Sequence, residues 1–417
     1  MGPHHSPAPG DDDRPGRHSA RVIAAVLLPV AAVLTVLLIW LWPNSPQRTA
    51  GDDDRRFGGR VTAVHEVPCP PISPDDPGYA EAVGTIDRVC GTAEVAVAAG
   101  PDRGRTVTVD LPSGPGVPVV AGGDDVVLIY LPDTPGGAGY QLADHQRGPQ
   151  LWILAAALAL AIIAFGRLRG LAALAGLAVT FGVLLWFIVP AILDGRSPLL
   201  VAIVGAAAIM FVVLYLTHGV RRSTSVAVAG TLISLTLTGL LGWASVAGAH
   251  LTGYGTEDAF YTGLTMRVNM QGLLLAGIVI GALGVLDDVT VTQAVAVDEL
   301  ARANPAYGFG DLYRSAARVG RAHIASVVNT IILAYAGASL PLLLLIATSD
   351  QPAGQILTNQ ALAEELVRGM VGTIGLIAAV PITTALAAFV TVRARRARAS
   401  RPAIPAAAEE AAWDPVR

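Results

Sequence analysis

An α-helical polytopic membrane protein of about eight transmembrane helices, with one small β-rich domain outside the cytoplasm, is the architecture this 417-residue sequence predicts. Three observations carry it. The chain is 53% hydrophobic and only 14% charged, against about 25% charge in soluble domains. Many uncharged runs approach the roughly 20 residues that cross a bilayer. Between the first and second of these runs lies a long segment of a different character, rich in Val, Thr, Gly, Pro and Asp.

In chain order, residues 1–20 are biased to Asp, Pro, Gly and His and are expected to be a disordered cytoplasmic N-terminus. The first apolar run, 21–42, ends in the bulky "IWLW" and lacks an A-x-A cleavage site, so it reads as a retained anchor rather than a signal peptide. Residues 43–149 contain alternating runs such as "RTVTVDL" and "DDVVLIYL", bounded by Gly and Pro. Period-two patterns of that kind are strands, and a small OB-like or SH3-like barrel is expected. Such a barrel can bind a ligand or dock a partner, and the fold does not choose between them. The two cysteines, Cys69 and Cys90, both fall here and are expected to form a disulfide, since such bonds persist outside the reducing cytosol. Two thiols with His65 nearby do not supply a four-ligand metal set. Seven further helices are expected at 150–166, 170–190, 198–217, 225–248, 270–288, 323–347 and 366–391, within a membrane domain spanning 150–392. The tail, 393–417, is Arg-rich and then Ala-rich, and is expected to be disordered in the cytoplasm.

The sequence contains no lysine, so arginine alone reports orientation. With the N-terminus inside, the inner flanks hold Arg14, Arg17 and Arg21; Arg167 and Arg169; Arg221 and Arg222; Arg302, Arg314, Arg318 and Arg321; and Arg393, Arg395, Arg396, Arg398 and Arg401. The outer loops hold little beyond Arg196 and Arg267. Both termini are therefore expected in the cytoplasm of a bacterial plasma membrane. A net charge of −4 gives no reason to expect nucleic-acid binding.

The stretch "GALGVLDDVTVTQAVAVDEL" (281–300) sets two carboxylates, Asp287 and Asp288, into an apolar helix. Gly277, Gly281, Gly284 and Asp288 are spaced 4, 3 and 4, so they share one face. Glycines at that spacing let a second helix approach, which points Asp288 into an interface and turns Asp287 away by about 100°. The chain stays uncharged from Val289 to Val297. Asp288 is then either a buried functional carboxylate, of the kind that marks ion and proton pathways, or a solvated group at the cytoplasmic interface. The next helix opens with Ser326, Asn329 and Thr330. These glue helices together or surround Asp288 and tune its protonation. Thr231, Ser234 and Thr238 form a similar stripe that reads as packing. "DLYRSAARVGR" reads as a basic amphipathic helix capped by Asp311.

With "GALGVLDDVTVTQAVAVDEL", "DLYRSAARVGR" and "HIASVVNTIILAYAGASLPLLLLIA", the sequence resembles the YibE/F-like family of bacterial membrane proteins over roughly 150–392, with a weaker match in the β segment. The resemblance places Asp288, Glu299 and Asn329 on recurring polar positions and brings no established activity with it. A looser similarity reaches the SecD/SecF export subunits and RND-type transporters. These carry an outward domain after the first helix and a later G-x-x-x-D helix with an acidic residue about eleven positions on, here Gly284, Asp288 and Glu299. Two additional spans and a much smaller external domain depart from that pattern. The similarity implies proton coupling.

The function expected from these features is an ion-gradient-coupled transporter or exporter component with Asp288 as proton carrier. The alternative is a non-transporting scaffold or accessory subunit that binds a partner through its external domain. An enzyme is not expected: H-E-x-x-H, G-x-S-x-G and Walker A motifs are absent, and "DDVTV" is not a DDxxD metal motif. No cofactor or metal is expected. The expected partners are the lipid bilayer, with a protein at the external domain and self-association left open.

Overall fold

The computed structural model describes residues 17–43, 55–69, 90–112, 118–132, 139–266, 268–348, 352, 354–355 and 358–399. The disorder expected at the chain ends falls outside these residues, apart from 17–20 and 393–399, which are helical instead. The chain divides into two compact units, Arg48–Phe165 on one side and Met1–Gln47 with Gly166–Arg417 on the other.

In the first unit, five strands form one antiparallel sheet: β1 (Arg56–Val67), β2 (Cys90–Val97), β3 (Thr106–Asp110), β4 (Asp125–Leu131) and β5 (Gly139–His145). Their spatial order is β3-β2-β1-β4-β5. Alternate residues build the core, with Val61, Val95, Val109, Val126, Leu128 and Leu142 buried together. The expected closed barrel is not what forms. Among the described residues no ladder joins β3 to β5, and a barrel closes only when its edge strands pair. Across β1 and β4, Arg60 donates to Asp125 at 2.8 Å and holds that carboxyl below its usual range. The pair is exposed, so it orders the surface more than it stabilises the fold.

Cys69 and Cys90 are bonded, their Cα atoms 5.1 Å apart. The bridge ties the chain just beyond β1 to the start of β2 and closes a loop of 21-residue separation. Chain-entropy arguments make it worth about 3 kcal/mol. Mass spectrometry of thiol-blocked, unreduced membranes should recover the linked peptides, and Cys90→Ser should lower the domain's melting temperature. Two free thiols in such membranes would overturn both the bond and an oxidising location.

The second unit is helical. Helix α1 spans Arg17–Leu41. Helix α2 (Gly148–Val183) begins in the first unit, then runs through a π turn (Leu184–Ile188) into α3 (Val189–Leu193). The remaining helices are α4 (Pro198–His218), α5 (Arg222–Gly248), α6 (Glu257–Met266), α7 (Met270–Ala303), α8 (Phe309–Ala338), α9 (Leu340–Ala347) and α10 (Gln360–Ala399).

Among the described residues, six helical runs are long and apolar enough to cross a membrane: Gly148–Leu193, α4, α5, α7, α8 and α10 up to Ala397. The expected eight separate spans are therefore not reproduced. The run Gly148–Leu193 is two helices on either side of non-helical backbone at Arg167, where the break between the expected spans 150–166 and 170–190 falls. Among the described residues, α1 contributes the shorter apolar helix Leu27–Leu41. Helices α7 and α8 also exceed their expected limits. Nothing after Asp288 stops α7 until Asn304-Pro305, where proline disfavours helix in the residue before it. The "DLYRSAARVGR" segment is not a separate interfacial helix but the first turns of α8.

Helices α5, α7 and α10 form the centre. Helix α7 runs parallel to α10, pairing Gln293 with Thr384 and Asp298 with Thr391. Helix α5 runs antiparallel to α7, setting Thr231 beside Thr290 and Gly242 against Leu275 and Ile278. At one end of this bundle Arg395 donates to the carbonyls of Ala301, Pro305 and Tyr307, clamping the α7–α8 turn. Helix α10 carries Pro381 in its interior.

Candidate functional site

The inner face of α7 is a stripe of bulky apolar residues, including Leu275, Ile278, Val279, Leu283 and Leu286, that packs into the bundle core. Two polar side chains continue the stripe, Thr290 and Gln293, both fully buried. Facing them are Thr231 on α5 and Thr383 and Thr384 on α10, also fully buried. These five side chains make a polar layer inside an apolar bundle.

The contacts within the layer are specific. Thr231 and Thr290 share a hydroxyl–hydroxyl hydrogen bond of 2.6 Å. Thr384 donates to the Gln293 carbonyl oxygen at 3.0 Å. Among the described residues, the Gln293 amide nitrogen and the Thr383 hydroxyl have no hydrogen-bond partner, and one turn along α5 the buried Ser234 hydroxyl has none either. Glycines bring the backbones close enough. A methyl at Gly230 would strike Thr383, and one at Gly320 of α8 would lie 2.7 Å from both the Gln293 amide nitrogen and Val380. Helices α7, α8 and α10 thus converge on Gln293.

Asp287 adjoins the layer. The Thr290 hydroxyl that pairs with Thr231 also donates to the Asp287 backbone carbonyl at 3.1 Å. The Asp287 side chain is half-buried. By helical rise it lies roughly 26 Å along the axis from Met270, against a hydrocarbon thickness of about 30 Å. Toward the arginine clamp, Asp298 accepts from Thr391 at 3.3 Å. Polar groups thus recur along α7 from 287 through 290 and 293 to 298, each of the last three answered by α5 or α10.

Several expected site residues lie elsewhere. Asp288 is exposed, as are Gly277, Gly281 and Gly284. The glycine face is therefore not the helix–helix interface it was expected to be. A methyl at Gly277 or Gly284 would meet nothing within 4 Å, and one at Gly281 would meet only the Tyr335 hydroxyl, at 3.3 Å. The bulky face, not the glycine face, fills the space between α5 and α10. Ser326, Asn329 and Thr330 also point outward from α8 and do not surround Asp288; Thr330 donates to the Ser326 carbonyl of its own helix. Glu299 is exposed and faces Arg302 at 3.7 Å. Among the described residues no cluster of three or more His, Cys, Asp or Glu could hold a metal ion. A cavity of about 410 Å³ between α8, α9 and α10 is lined by Ile332, Leu343, Leu366, Met370 and other largely apolar side chains, and lies apart from the polar layer.

Gln293, Thr383 and Thr384 were not legible as site residues. Their signal was present but faint: one amide inside "VTVTQAVAV", and a Thr-Thr pair just after a proline in "PITTALA". Thr231, Ser234 and Thr238 read as packing, and they do pack; Thr231 also belongs to the layer.

A bundle of long apolar helices around a buried polar layer defines a helical membrane protein. The model of the YibE/F-like protein family matches residues 154–393, which covers α2 through most of α10, and the chain belongs to that family. No curated protein and no solved structure matches it.

Proposed function

We propose that this is an ion-gradient-coupled membrane transporter or exporter component, with the proton as coupling ion and Asp287 as its carrier. One observation carries the proposal: a buried polar layer that holds unpaired donors and acceptors among the described residues, one turn along α7 from a half-buried aspartate. A buried polar atom without a partner costs about 1–3 kcal/mol, and an all-apolar core would avoid that cost. Ionisable groups retained among membrane helices face interiors or cavities and relay ions. Reversible protonation of Asp287 would change the charge beside Thr290 and so bias how α5, α7 and α10 pack. The arginine distribution and the disulfide support a plasma-membrane orientation with both termini in the cytoplasm and the sheet outside.

The sheet's own hydrophobic core and separate compactness favour a second reading, an accessory subunit that recognises a protein through that domain. Proteoliposomes carrying a pH-sensitive dye separate the two. Under an imposed pH gradient, the purified protein should raise proton flux above that of empty vesicles, alone or with one of a panel of solutes. Flux at the empty-vesicle level under every condition would retire the transporter in favour of the subunit.

A further inference from the structure

The cavity of about 410 Å³ between α8, α9 and α10 is long and narrow. Its lining on α10 runs from Leu362 to Ile374, roughly 18 Å at the rise of a helix. Helix α8 runs antiparallel alongside, with Gly320 against Val380 and Gly369 against Tyr335. Spread over that length, the volume leaves a mean section of roughly 23 Å². A helix with its side chains is about 10–12 Å across, so a helix of a second copy does not fit inside. A single polymethylene chain does.

The wall is built for such a chain. Leu362, Leu366, Met370 and Ile374 recur every fourth residue and so share one face of α10. Ile332 of α8 and Leu343 of α9 close the other side. At Gly369 the wall has no side chain, and an added methyl would come no nearer than 3.8 Å to the Tyr335 ring. The cavity is open sideways: Ile332, Met370 and Ile374 are each more than half exposed. They belong to helices long and apolar enough to cross a membrane, so the opening faces bilayer hydrocarbon rather than water.

The two ends of the cavity differ. Toward the α10 N-terminus the lining includes Glu365, which Arg368 holds at 2.7 Å. That end carries both signs of charge and no net charge. After Arg368 the next charged residue of the helix is Arg393, so the rest of the α10 wall is uncharged. An ion pair at one end and an uncharged, largely apolar channel beyond it match an amphiphile lying lengthwise, with both charges on its head.

We infer that this groove holds one acyl chain of a zwitterionic bilayer phospholipid, its headgroup at the Glu365–Arg368 end and its chain running toward Ile374. Lipid tails are as apolar as leucine, so entering the groove brings no hydrophobic gain over the open bilayer. The chain is retained by close packing in a channel one chain wide and by the paired charges at the head. The site stands whether or not protons cross the α5–α7–α10 bundle.

Photolabelling of the full-length protein in vesicles of mixed zwitterionic and anionic phospholipids tests this. Three trace probes carry the same diazirine-bearing chain: a zwitterionic phospholipid, an anionic phospholipid and a free fatty acid. With the first, peptides covering 331–343 and 360–374 should label several-fold more per residue than α2, whose open apolar surface reports ordinary bilayer contact. The other two probes should show a smaller ratio. Gly369→Leu fills the channel and should bring the ratio down to one, while Gly277→Leu, on an open face of α7, should leave it unchanged. Equal labelling of the groove and α2, a ratio unmoved by Gly369→Leu, or a ratio as high with the fatty acid or the anionic lipid would overturn the assignment. If Gly369→Leu does not fold, the wild-type map with the three probes decides.

Discussion

Asp287→Asn should reduce gradient-driven proton flux to the level of protein-free vesicles, while Asp288→Asn should stay close to wild type. Adjacent carboxylates differ by about 100° around a helix, and here that rotation decides their surroundings. Asp287 is half-buried beside a threonine hydrogen-bonded into the α5–α7–α10 layer, whereas Asp288 is exposed. Asparagine keeps the shape and much of the hydrogen bonding of aspartate but cannot carry a proton, so both proteins should reach the membrane at normal levels. Flux measured on the two purified variants at matched reconstitution gives the answer. The reverse order of effects would return the carrier role to Asp288 and remove the polar layer from the mechanism.

Gly320→Ala should destabilise the membrane unit by about 1–3 kcal/mol, the usual cost of overpacking a filled core. Its new methyl would lie 2.7 Å from both the Gln293 amide nitrogen and Val380, which belong to two different helices. Adding Gln293→Ala should recover part of the loss, because one of the two obstacles is removed. Gly277→Ala is the contrasting case. Nothing lies within 4 Å of its added methyl, and alanine is the better helix former by about 1 kcal/mol. It should be neutral or mildly stabilising. Thermal unfolding in detergent compares all three proteins. A melting temperature that falls as far for Gly277→Ala as for Gly320→Ala would mean that α7 packs through its glycine face after all.

The contrast between these glycines also shows where sequence reading succeeds and where it stops. Hydropathy finds the apolar runs because the requirement is one-dimensional: enough apolar residues in a row. Alternation finds the strands for the same reason, and a chain with two cysteines allows only one intramolecular pairing. Which side of α7 faces inward is a different kind of question. Two stripes run along it with the same helical period, one of glycine and one of Leu, Ile and Val, and either could be the interface. The choice depends on the volume left between α5 and α10, which no local pattern contains. The glycines that do permit close approach, Gly205, Gly230, Gly320 and Gly375, each stand on a different helix, none of them α7. Gln293 was hidden because one neutral amide barely changes a hydropathy average. Glu365 was hidden because it lies just before the expected start of the last span, and only the added turns of α10 set it in the cavity wall.

Pro381 lies two residues before Thr383. Its ring has no N–H to offer, so the carbonyl four residues back, on Ile377, has no donor from that position. The backbone ladder of α10 is thus interrupted beside Gln293 and Thr384, at the level of the buried polar layer. A continuous α-helix transmits bending stiffly along its length, whereas one missing rung concentrates the bend. The segments of α10 on either side, one bearing Glu365 and the other Arg395, can therefore tilt against each other about a point next to the layer. The proline makes the stretch of α10 that faces the buried layer its mechanically softest.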